Sequence, residues 1–436
     1  MSESTNRKRP IWKRIPLYVQ ILIALVLGVG LGLFLSGGGQ LSPQEANLAQ
    51  KLVIPCTLVL KALRALATPL ILLAVLNAFL TTEIPGRVGR RLAVLLLSNT
   101  VVAIMIGLLV ANVLRPGTWG RLEAPNGTGE AVKRLDPWGL LQSTIPESIL
   151  EPLVDNNVIQ LIVVALLFGI ALRKLKATQS AAGRTEHIAA QQVITFLFEA
   201  VISVVNWVIT LVPLAVFGIV ANTVATKGLQ PFKALAALIV VVLLGLFLQA
   251  CYYLLRVKFG SWVKPQRFLA GASEPLVTAF STASSTVTMP ITFQALKDKI
   301  GIRETPASMG ALVGSNFNND GTALYEAMAA LFISQVIGSH LSLVQQLIVV
   351  VTAIVASVGA AGIPEAGLVT MTLVFTAVGL PTEYIALLVT VDWFLDRCRT
   401  AINVMGDMTV SCLLDGKHPK DDTPQLEPDR ETVGMS

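Results

Sequence analysis

Long apolar stretches alternate with short polar connections along the first 270 residues of the chain. The stretches lie near residues 16–36, 52–80, 91–114, 157–172, 195–222 and 234–256. A helix needs about 20 predominantly apolar residues to cross the hydrocarbon layer of a membrane. The pattern therefore predicts about six membrane-spanning helices in this part of the chain.

Beyond residue 270 the apolar stretches are interrupted by small and polar residues. The interrupted stretches are 279–296, 308–336 and 351–380, and a fourth, 383–414, is crossed by charged residues. Non-helical backbone and charged side chains are tolerated at membrane depth only where protein or a water-filled cavity satisfies them. The sequence therefore predicts a functional site in this part of the chain.

Two of the interruptions have the composition of a hairpin tip. Residues 281–290, STASSTVTMP, place six hydroxyl side chains before Pro290. They predict either a re-entrant hairpin tip or a hydroxyl-rich helix that packs closely against its neighbours. Residues 357–367, SVGAAGIPEAG, contain three glycines and Pro364, which break a helix. Because the apolar arms on both sides are short for a full crossing, we predict a second hairpin here rather than a surface loop.

The third interruption, SNFNNDGTALYEAMAALF at residues 315–332, places amides, a carboxylate and a glycine in an apolar context. The Asn-Asn-Asp-Gly run is expected to unwind a helix in the middle of the membrane. The freed backbone carbonyls, the Asp320 carboxylate and the amide oxygens are ligands that suit a hard cation. Two half-helices would also direct their dipole ends at the gap. We therefore predict a site for a small cation and an anionic organic solute, with Arg399 close by.

Residues 383–414 carry a polar face if they form a helix. Six polar side chains then fall within an arc of roughly 100°. They are Asp392, Asp396, Arg399, Thr400, Asn403 and Asp407. Intramembrane ionisable groups normally face a partner or a cavity, so this face is predicted to line a site. A structural ion-pair cluster and a solvated amphipathic face are the alternatives.

Composition and charge agree with a polytopic membrane protein. Of 436 residues, 53% are hydrophobic and 14% are charged, whereas soluble domains carry about a quarter charged residues. Cations follow every second apolar stretch, as the positive-inside rule requires for a cytoplasmic N-terminus, and only the loop at 115–140 departs from this rule. Topology thereby explains the net charge of +6, and no nucleic-acid partner is predicted.

The histidines and cysteines do not predict catalysis. Three histidines lie far apart, and four cysteines occur in apolar contexts without CxxC spacing. A membrane-embedded hydrolase would need a base near Ser284 or Ser285, and no histidine or G-x-S-x-G context supplies one. No cleavable signal peptide is expected either, because the first apolar run has span length and no A-x-A-like site follows it. We therefore predict that the protein is not an enzyme.

Four motifs in the last third of the chain resemble the glutamate transporter family. These proteins are dicarboxylate/amino acid:cation symporters and include the excitatory amino acid transporters. The motifs are STASSTVTMPITF, NNDGTALYEAMAALFISQ, SVGAAGIPEAGLVTM and VDWFLDRCRTAINVMGD, in the order in which the family has them. The resemblance implies an all-α polytopic membrane protein with eight transmembrane helices, inverted repeats and two re-entrant hairpins, at about 272–300 and 343–379. It also implies a homotrimer in which each transport domain slides against a fixed scaffold, an elevator-type mechanism.

The resemblance implies four parts along the chain. They are a basic cytoplasmic N-terminus at 1–14, scaffold and first transport-domain helices at 15–270, a substrate- and ion-binding core at 271–414, and a disordered tail at 415–436. The core would contain hairpin 1, a broken helix 7, hairpin 2 and helix 8. The implied location is the plasma (cell inner) membrane, with both termini cytoplasmic.

Individual residues of the substrate site are also implied by the resemblance. Arg399 would bind the side-chain carboxylate of the substrate in a bidentate fork, and Asp396 would bind its ammonium group. Asn403, Thr400 and Thr322 are further implied substrate contacts. Ala283 and Ser285 on one hairpin, and Ile363 and Gly367 on the other, would close the site.

Three sodium sites are implied, each built from oxygen atoms. The first would use Asp407 with carbonyls of Gly314, Asn318 and Asn403, the second carbonyls of Asn316, Ser357, Val358 and Ala360, and the third Asp320 with Asn318, Asn99 and Thr100. Glu326 matches a glutamate that eukaryotic-type members use for proton carriage and K+ exchange. A structural pair between Glu326 and Arg397 is the alternative.

Two positions depart from the family pattern at the sodium sites. Asn319 stands where the family usually has methionine, and Leu96 where members commonly have tyrosine. Because Asp396 and Arg399 together suit an acidic amino acid, we predict cation-coupled symport of L-aspartate or L-glutamate. A C4-dicarboxylate or neutral amino acid symporter with altered or absent Na+ dependence is one alternative, and an anion channel is another.

Overall fold

The computed structural model describes residues 15–37, 41–81, 86–119, 146–154, 158–359 and 366–417, and all regular secondary structure in these ranges is helical. The helices before residue 262 are α1 (Leu17–Ser36), α2 (Pro43–Leu52), α3 (Ile54–Thr81), α4 (Gly86–Leu114), α5 (Glu151–Val154), α6 (Val158–Ala181), α7 (Glu186–Ile209), α8 (Val212–Lys227) and α9 (Gln230–Gly260). The later helices are α10 (Pro265–Thr282), α11 (Ser285–Gln294), α12 (Glu304–Ser308), α13 (Gly314–Phe317), α14 (Asp320–Val336), α15 (Leu343–Gly359), α16 (Ala366–Ala377) and α17 (Ile385–Asp415). The predicted all-α fold class is confirmed for these ranges.

Five helical segments in the described ranges are long and apolar enough to cross a membrane. They are Leu17–Ser36, Pro43–Thr81, Gly89–Thr118, Glu186–Ile209 and Pro231–Gly260. Large apolar side chains project from their outer surfaces, with Phe34 81% and Phe196 70% exposed. An apolar surface of this extent is favourable in lipid and unfavourable in water, so the fold is that of a polytopic membrane protein.

Two predicted spans have different limits in the structure. The stretch predicted at 195–222 is divided between α7 and α8. Pro213 lies in the first turn of α8, where a residue without an N–H group is tolerated. The span predicted at 157–172 continues as α6 to Ala181, because the lysines and arginine that follow its apolar part are good helix formers.

The first predicted hairpin is formed by α10 and α11, which pack against each other. Its turn lies at Ala283, which adopts a left-handed conformation with φ 51°. The Ser284 hydroxyl caps α11 by accepting a hydrogen bond from the Val287 amide at 3.2 Å. The turn between the two helices lies within 281–290, and the first arm begins at Pro265 and not near residue 272.

The second predicted hairpin corresponds to α15 and α16, which also pack against each other. Its tip, residues 360–365, lies outside the described residues. Helix α15 ends at Gly359 and α16 begins at Ala366, on either side of these residues.

The helix predicted to unwind at the Asn-Asn-Asp-Gly run does so. Asn318 (φ −100°, ψ 82°) and Asn319 (φ −110°, ψ 47°) separate α13 from α14. Helix α14 is buried along most of its length and packs against α4, α9, α15 and α17. A Cβ atom at Gly321 would lie 2.7 Å from the Arg399 carbonyl oxygen, so a glycine is needed for α14 to approach α17 this closely. The polar groups at the break consequently lie inside the protein.

Candidate substrate and cation site

The predicted polar face of α17 is present and buried. Each of its residues lies three or four positions from another one, which keeps them on one side of the helix. They are Asp392, Asp396, Arg399, Thr400, Asn403 and Asp407, each at most 6% exposed. A solvated amphipathic face is therefore wrong, because these side chains point into the protein and away from its surface.

Arg399 is fully buried and bound by two carboxylates of the same helix. Its Nη1 donates to Asp392 Oδ1 at 2.9 Å, and its Nη2 donates to Asp396 Oδ1 at 2.7 Å. The Tyr325 ring lies under the guanidinium, with its centroid 4.2 Å from Arg399 Cζ. The Arg399 Nε–H group has no hydrogen-bond acceptor among the described residues. Two carboxylates and one guanidinium leave a net negative charge and one donor available to a further group.

Asp392 is a partner of Arg399 that sequence reasoning does not identify. The sequence places it on the polar face without a role, although it provides the second carboxylate at Arg399. Its distance of seven residues from Arg399, two helical turns, is the signal that identifies it.

The second hairpin covers the Arg399 guanidinium. A Cβ atom at Gly367, in the first turn of α16, would lie 3.1 Å from Arg399 Nη2. The backbone of α16 thus approaches the guanidinium more closely than a larger side chain would allow. Gly367, which is predicted at the substrate site, lies against Arg399; Ile363 and Ala360 lie outside the described residues.

The first hairpin is connected to α17 through Arg397. This side chain donates hydrogen bonds to the carbonyl oxygens of Phe280 and Ser281 at the end of α10. Its guanidinium also lies 4.2 Å from the centroid of the Tyr18 ring. Because Arg397 is next to Asp396 in α17, this contact brings the Ala283 turn close to the polar face. The sequence leaves a structural pair between Arg397 and Glu326 as an alternative. In the structure, Arg397 makes these backbone contacts instead.

Ser285 and Asn403 connect the interrupted helix to its neighbours. The Ser285 hydroxyl donates to the Ser315 carbonyl at 3.1 Å. Asn403 Oδ1 accepts a hydrogen bond from the Gly321 amide at 2.7 Å, and its Nδ2 donates to Thr322 Oγ1 at 3.3 Å. Asn403 and Thr322, predicted at the substrate site on two different helices, are therefore brought together. Thr400 is instead occupied by its own helix, donating to the Asp396 carbonyl at 2.8 Å.

The first predicted cation site has the chemistry of a hard-cation site. Asp407 Oδ1 and Asn318 Oδ1 are buried acceptors without a hydrogen-bond donor among the described residues. A Cβ atom at Gly314 would lie 2.6 Å from Asp407 Oδ1, so the α13 backbone is in contact with the carboxylate. The Asn318 amide nitrogen donates to the Asn403 carbonyl at 2.9 Å and aligns the two elements. Closely spaced carboxylate, amide and carbonyl oxygens are what Na+ or another hard cation binds.

The third predicted cation site surrounds Asp320. The Asp320 carboxylate accepts hydrogen bonds from Thr100 Oγ1 at 2.6 Å and from Tyr253 Oη at 2.5 Å. Asn99, a predicted ligand, uses its Oδ1 to accept a hydrogen bond from Arg256 Nη1. Tyr253 and Arg256 of α9 were missed by sequence reasoning, because an aromatic residue and a basic residue near a helix end are common in membrane helices.

The second predicted cation site involves the α13–α14 break and α15. Asn319 donates its Nδ2 hydrogen to the Ser357 carbonyl oxygen at 2.8 Å, and that oxygen was predicted as a sodium ligand. Of the other predicted ligands, Asn316 lies in α13 and Val358 in α15. The residue that replaces the usual methionine thus forms a direct contact between α14 and the second hairpin.

Glu326 lies within α14 and faces the second hairpin. It is fully buried, and its Oε1 accepts a hydrogen bond from the Thr370 hydroxyl of α16. Its Oε2 has no hydrogen-bond donor among the described residues. The charged groups that act on it are Arg399 and Asp392 of α17. The environment of Glu326 therefore depends on the position of α16 and on the charge at Arg399.

These features define a polytopic membrane protein with a buried charged cluster, formed by a polar helix face, an interrupted helix and two pairs of packed helices. The sequence profile of the sodium:dicarboxylate symporter family matches residues 17–417. The chain therefore belongs to the sodium:dicarboxylate symporter family. The predicted resemblance to glutamate transporters is thereby confirmed.

Curated relatives of known name match nearly the whole chain. Excitatory amino acid transporter 2 of Homo sapiens is 32% identical, over 89% of this chain and 77% of the relative. The excitatory amino acid transporter of Caenorhabditis elegans is 32% identical, over 90% of this chain and 85% of the relative. Excitatory amino acid transporter 3 of Mus musculus is 29% identical, over 90% of this chain and 83% of the relative. Membership of a transporter family favours transport over catalysis.

Proposed function

We propose that this chain is a secondary active symporter that takes up acidic amino acids, L-aspartate or L-glutamate, coupled to cation gradients. The observation that carries the proposal is the buried Arg399, bound by Asp392 and Asp396 and covered by Gly367. A buried guanidinium needs an anionic partner, and a buried carboxylate needs a cationic one. An amino acid with a second carboxylate offers both in one molecule.

When the substrate binds, the charged groups of the site exchange partners, and each of them remains paired. The side-chain carboxylate of the substrate takes the place of Asp396 at Arg399 Nη2 and also accepts from the available Nε–H group. Asp396, released from the guanidinium, binds the substrate ammonium group. Asp392 remains at Nη1 and keeps the Arg399 side chain oriented. Arg399 offers planar paired donors, so a bidentate contact with the carboxylate follows from its geometry.

The alternative substrates satisfy only part of this arrangement. A C4-dicarboxylate has no ammonium group, so Asp396 would be displaced from Arg399 without gaining a new partner. A neutral amino acid has no second carboxylate for Arg399. Polar side chains that pair inside a site discriminate strongly against analogues lacking one group, because the unpaired partner remains buried.

Cation coupling is assigned first to the Asp407 site. Its buried, unpartnered oxygens at Asp407 and Asn318 suit Na+. The contact between Asn319 and Ser357 and the contact between Arg256 and Asn99 both involve predicted sodium ligands, so coupling at the other two sites is expected to be altered. Glu326 is the candidate for H+ carriage with K+ counter-transport.

The proposed architecture has eight transmembrane helices, two re-entrant hairpins and inverted repeats, with the core at 271–414 moving by an elevator mechanism. Helix α7, with its strongly exposed apolar surface, suits contacts with lipid or with another copy in a homotrimer. We place the protein in the plasma (cell inner) membrane with both termini cytoplasmic, as the distribution of cations between spans requires.

The proposed function predicts accumulation of labelled L-aspartate or L-glutamate by purified protein in proteoliposomes under an inward Na+ gradient. Imposing Na+, H+ and K+ gradients one at a time identifies the coupled ions. Succinate and alanine are expected to compete at least about tenfold more weakly, because each leaves one charged group of the site unpaired. Equilibration without accumulation would support an anion channel, and equal competition by succinate would contradict the assignment of Asp396.

Replacing Glu326 by glutamine is expected to remove the dependence of uptake on internal K+ and on pH. Glutamine keeps the size and the acceptor for Thr370 but cannot gain or lose a proton. The measurement is net uptake and substrate exchange at several pH values, with and without internal K+. Glu304→Gln, which alters an exposed ion pair with Lys297, serves as the control. A Glu326→Gln variant with the full pH and K+ response would show that Glu326 is only a structural residue.

A further inference from the structure

The carboxylate of Asp320 lies in a site whose hydrogen-bond donors are almost all neutral. Asp320 is fully buried, and the hydroxyl groups of Thr100 and Tyr253 donate to its two oxygens. Neutral donors orient a carboxylate but do not balance its charge, and a buried charge requires a cationic partner. That partner is either a bound cation or a basic side chain of the protein.

Arg256 is the basic side chain that reaches this site. It lies one helical turn after Tyr253, so both project from the same face of α9. Its Nη1 donates to Asn99 Oδ1 and, at 3.0 Å, to Ser98 Oγ. Asn99 is adjacent to Thr100, whose hydroxyl binds Asp320, and Asn99 is fully buried. The guanidinium is thus hydrogen-bonded to residues that lie beside Asp320.

The contact uses an oxygen that a cation would need. An amide oxygen that accepts a hydrogen bond from a guanidinium is directed at that group and not at a metal ion. The opposite amide orientation would point Asn99 Nδ2 at Arg256, donor against donor, so the Oδ1 contact follows from chemistry. The oxygens of Asn99 and Asp320 then share one permanent positive charge.

We propose that Arg256 is a tethered cation that takes the place of one transported sodium ion at the Asp320 site, so that this chain couples one cation fewer per cycle than its architecture could accommodate. The inference rests on the proposed cation-coupled symport. Among the described residues, Asp407 of α17 is a further charged group near this site, and it belongs to the separate cation site described above. Arg256 supplies charge at Asp320 in every state of the cycle, whereas a sodium ion would bind and dissociate.

The first test compares limiting substrate accumulation in proteoliposomes under a fixed tenfold Na+ gradient at zero membrane voltage with symmetrical K+ and pH. Each additional coupled Na+ multiplies the accumulation ratio by the gradient, so Arg256→Leu is expected to raise it about tenfold. Arg256→Lys, which retains the charge, should match the wild-type protein. Lys258→Leu removes an exposed cation from the same helix and is the matched control. An unchanged accumulation ratio in an active Arg256→Leu variant would overturn the proposal.

The second test measures cation binding to the purified protein and does not depend on transport. The thermal unfolding midpoint of purified protein is measured against NaCl, with choline chloride at equal ionic strength. Arg256→Leu is expected to show a larger sodium-dependent stabilisation than the wild-type protein and Lys258→Leu, in which only the Asp407 site contributes. If Arg256→Leu does not transport, this measurement still decides, because an unchanged sodium dependence contradicts the tethered cation. Failure of the proposed function would appear separately, as a wild-type protein that binds no acidic amino acid.

Discussion

Arg399→Gln is expected to reduce uptake of L-aspartate and L-glutamate by about a hundredfold or more. Removing one partner from a buried charged pair typically costs about 3–5 kcal/mol, and each 1.4 kcal/mol corresponds to about a factor of ten. The substrate carboxylate would lose both guanidinium donors, and Asp392 and Asp396 would face each other without a cation. The measurement is the initial uptake rate and apparent affinity for labelled aspartate in proteoliposomes, with protein folding checked by size-exclusion chromatography.

The same variant is expected to change specificity as well as rate. With glutamine at position 399, a substrate without a second carboxylate leaves no guanidinium unpaired, so neutral amino acids should compete better relative to aspartate. Arg184→Gln is the matched control, since Arg184 forms an ion pair with Glu186 in which both side chains are more than half exposed, and exposed pairs contribute little. Unchanged aspartate uptake in Arg399→Gln would contradict the substrate site itself.

The parts of the site that the sequence predicts well are those set by local rules. The break at Asn318 and Asn319 follows from poor helix formers in an apolar helix. The polar face of α17 follows from intervals of three and four residues, which any helix places on one side. In both cases the determining residues are neighbours along the chain, so the sequence alone contains the geometry.

The parts that could not be predicted are contacts between distant residues. Tyr253 binds Asp320 across 67 positions, and Arg256 binds Asn99 across 157. Arg397 lies off the predicted arc, and only the packing of α10 against α17 shows that it binds the carbonyls of the first hairpin. Each of these side chains could equally lie exposed at a helix end or surface. Sequence periodicity does not distinguish that position from a buried contact. Tertiary packing decides which one is adopted.

Glycines provide a related case, because their role depends on what lies opposite them. Gly406 on α17 is unremarkable in sequence, yet a Cβ atom there would lie 2.3 Å from Asn318 Nδ2 and 2.7 Å from Tyr253 Oη. Both distances are too short for non-bonded atoms. The absence of a side chain at this position is therefore what allows α9, α17 and the interrupted helix to meet beside the Asp407 and Asp320 sites.

Asp407→Asn is expected to lower the apparent affinity for Na+ in transport at least about tenfold. Even the loss of a partner outside the first coordination shell of a metal lowers affinity about 10–100-fold. Asparagine has nearly the same size as aspartate, so the contact with the Gly314 backbone is retained while the negative charge is lost. The measurement is aspartate uptake as a function of external Na+, with the sodium-dependent unfolding midpoint of the purified protein as the binding readout. Glu274→Gln, at an exposed ion pair with Lys299, is the control for loss of a carboxylate elsewhere.

The two readouts together separate a cation site from a structural carboxylate. A carboxylate that only stabilises packing would lower the unfolding midpoint equally at all Na+ concentrations. A cation ligand would lower it mainly at high Na+, because a ligand stabilises the folded state according to its concentration relative to its dissociation constant. Since Asp407 Oδ1 and Asn318 Oδ1 are both buried acceptors without donors among the described residues, the second result is expected. An equal lowering of the unfolding midpoint at every Na+ concentration would contradict a cation site at Asp407. Glu326 would then be the remaining candidate for energetic coupling.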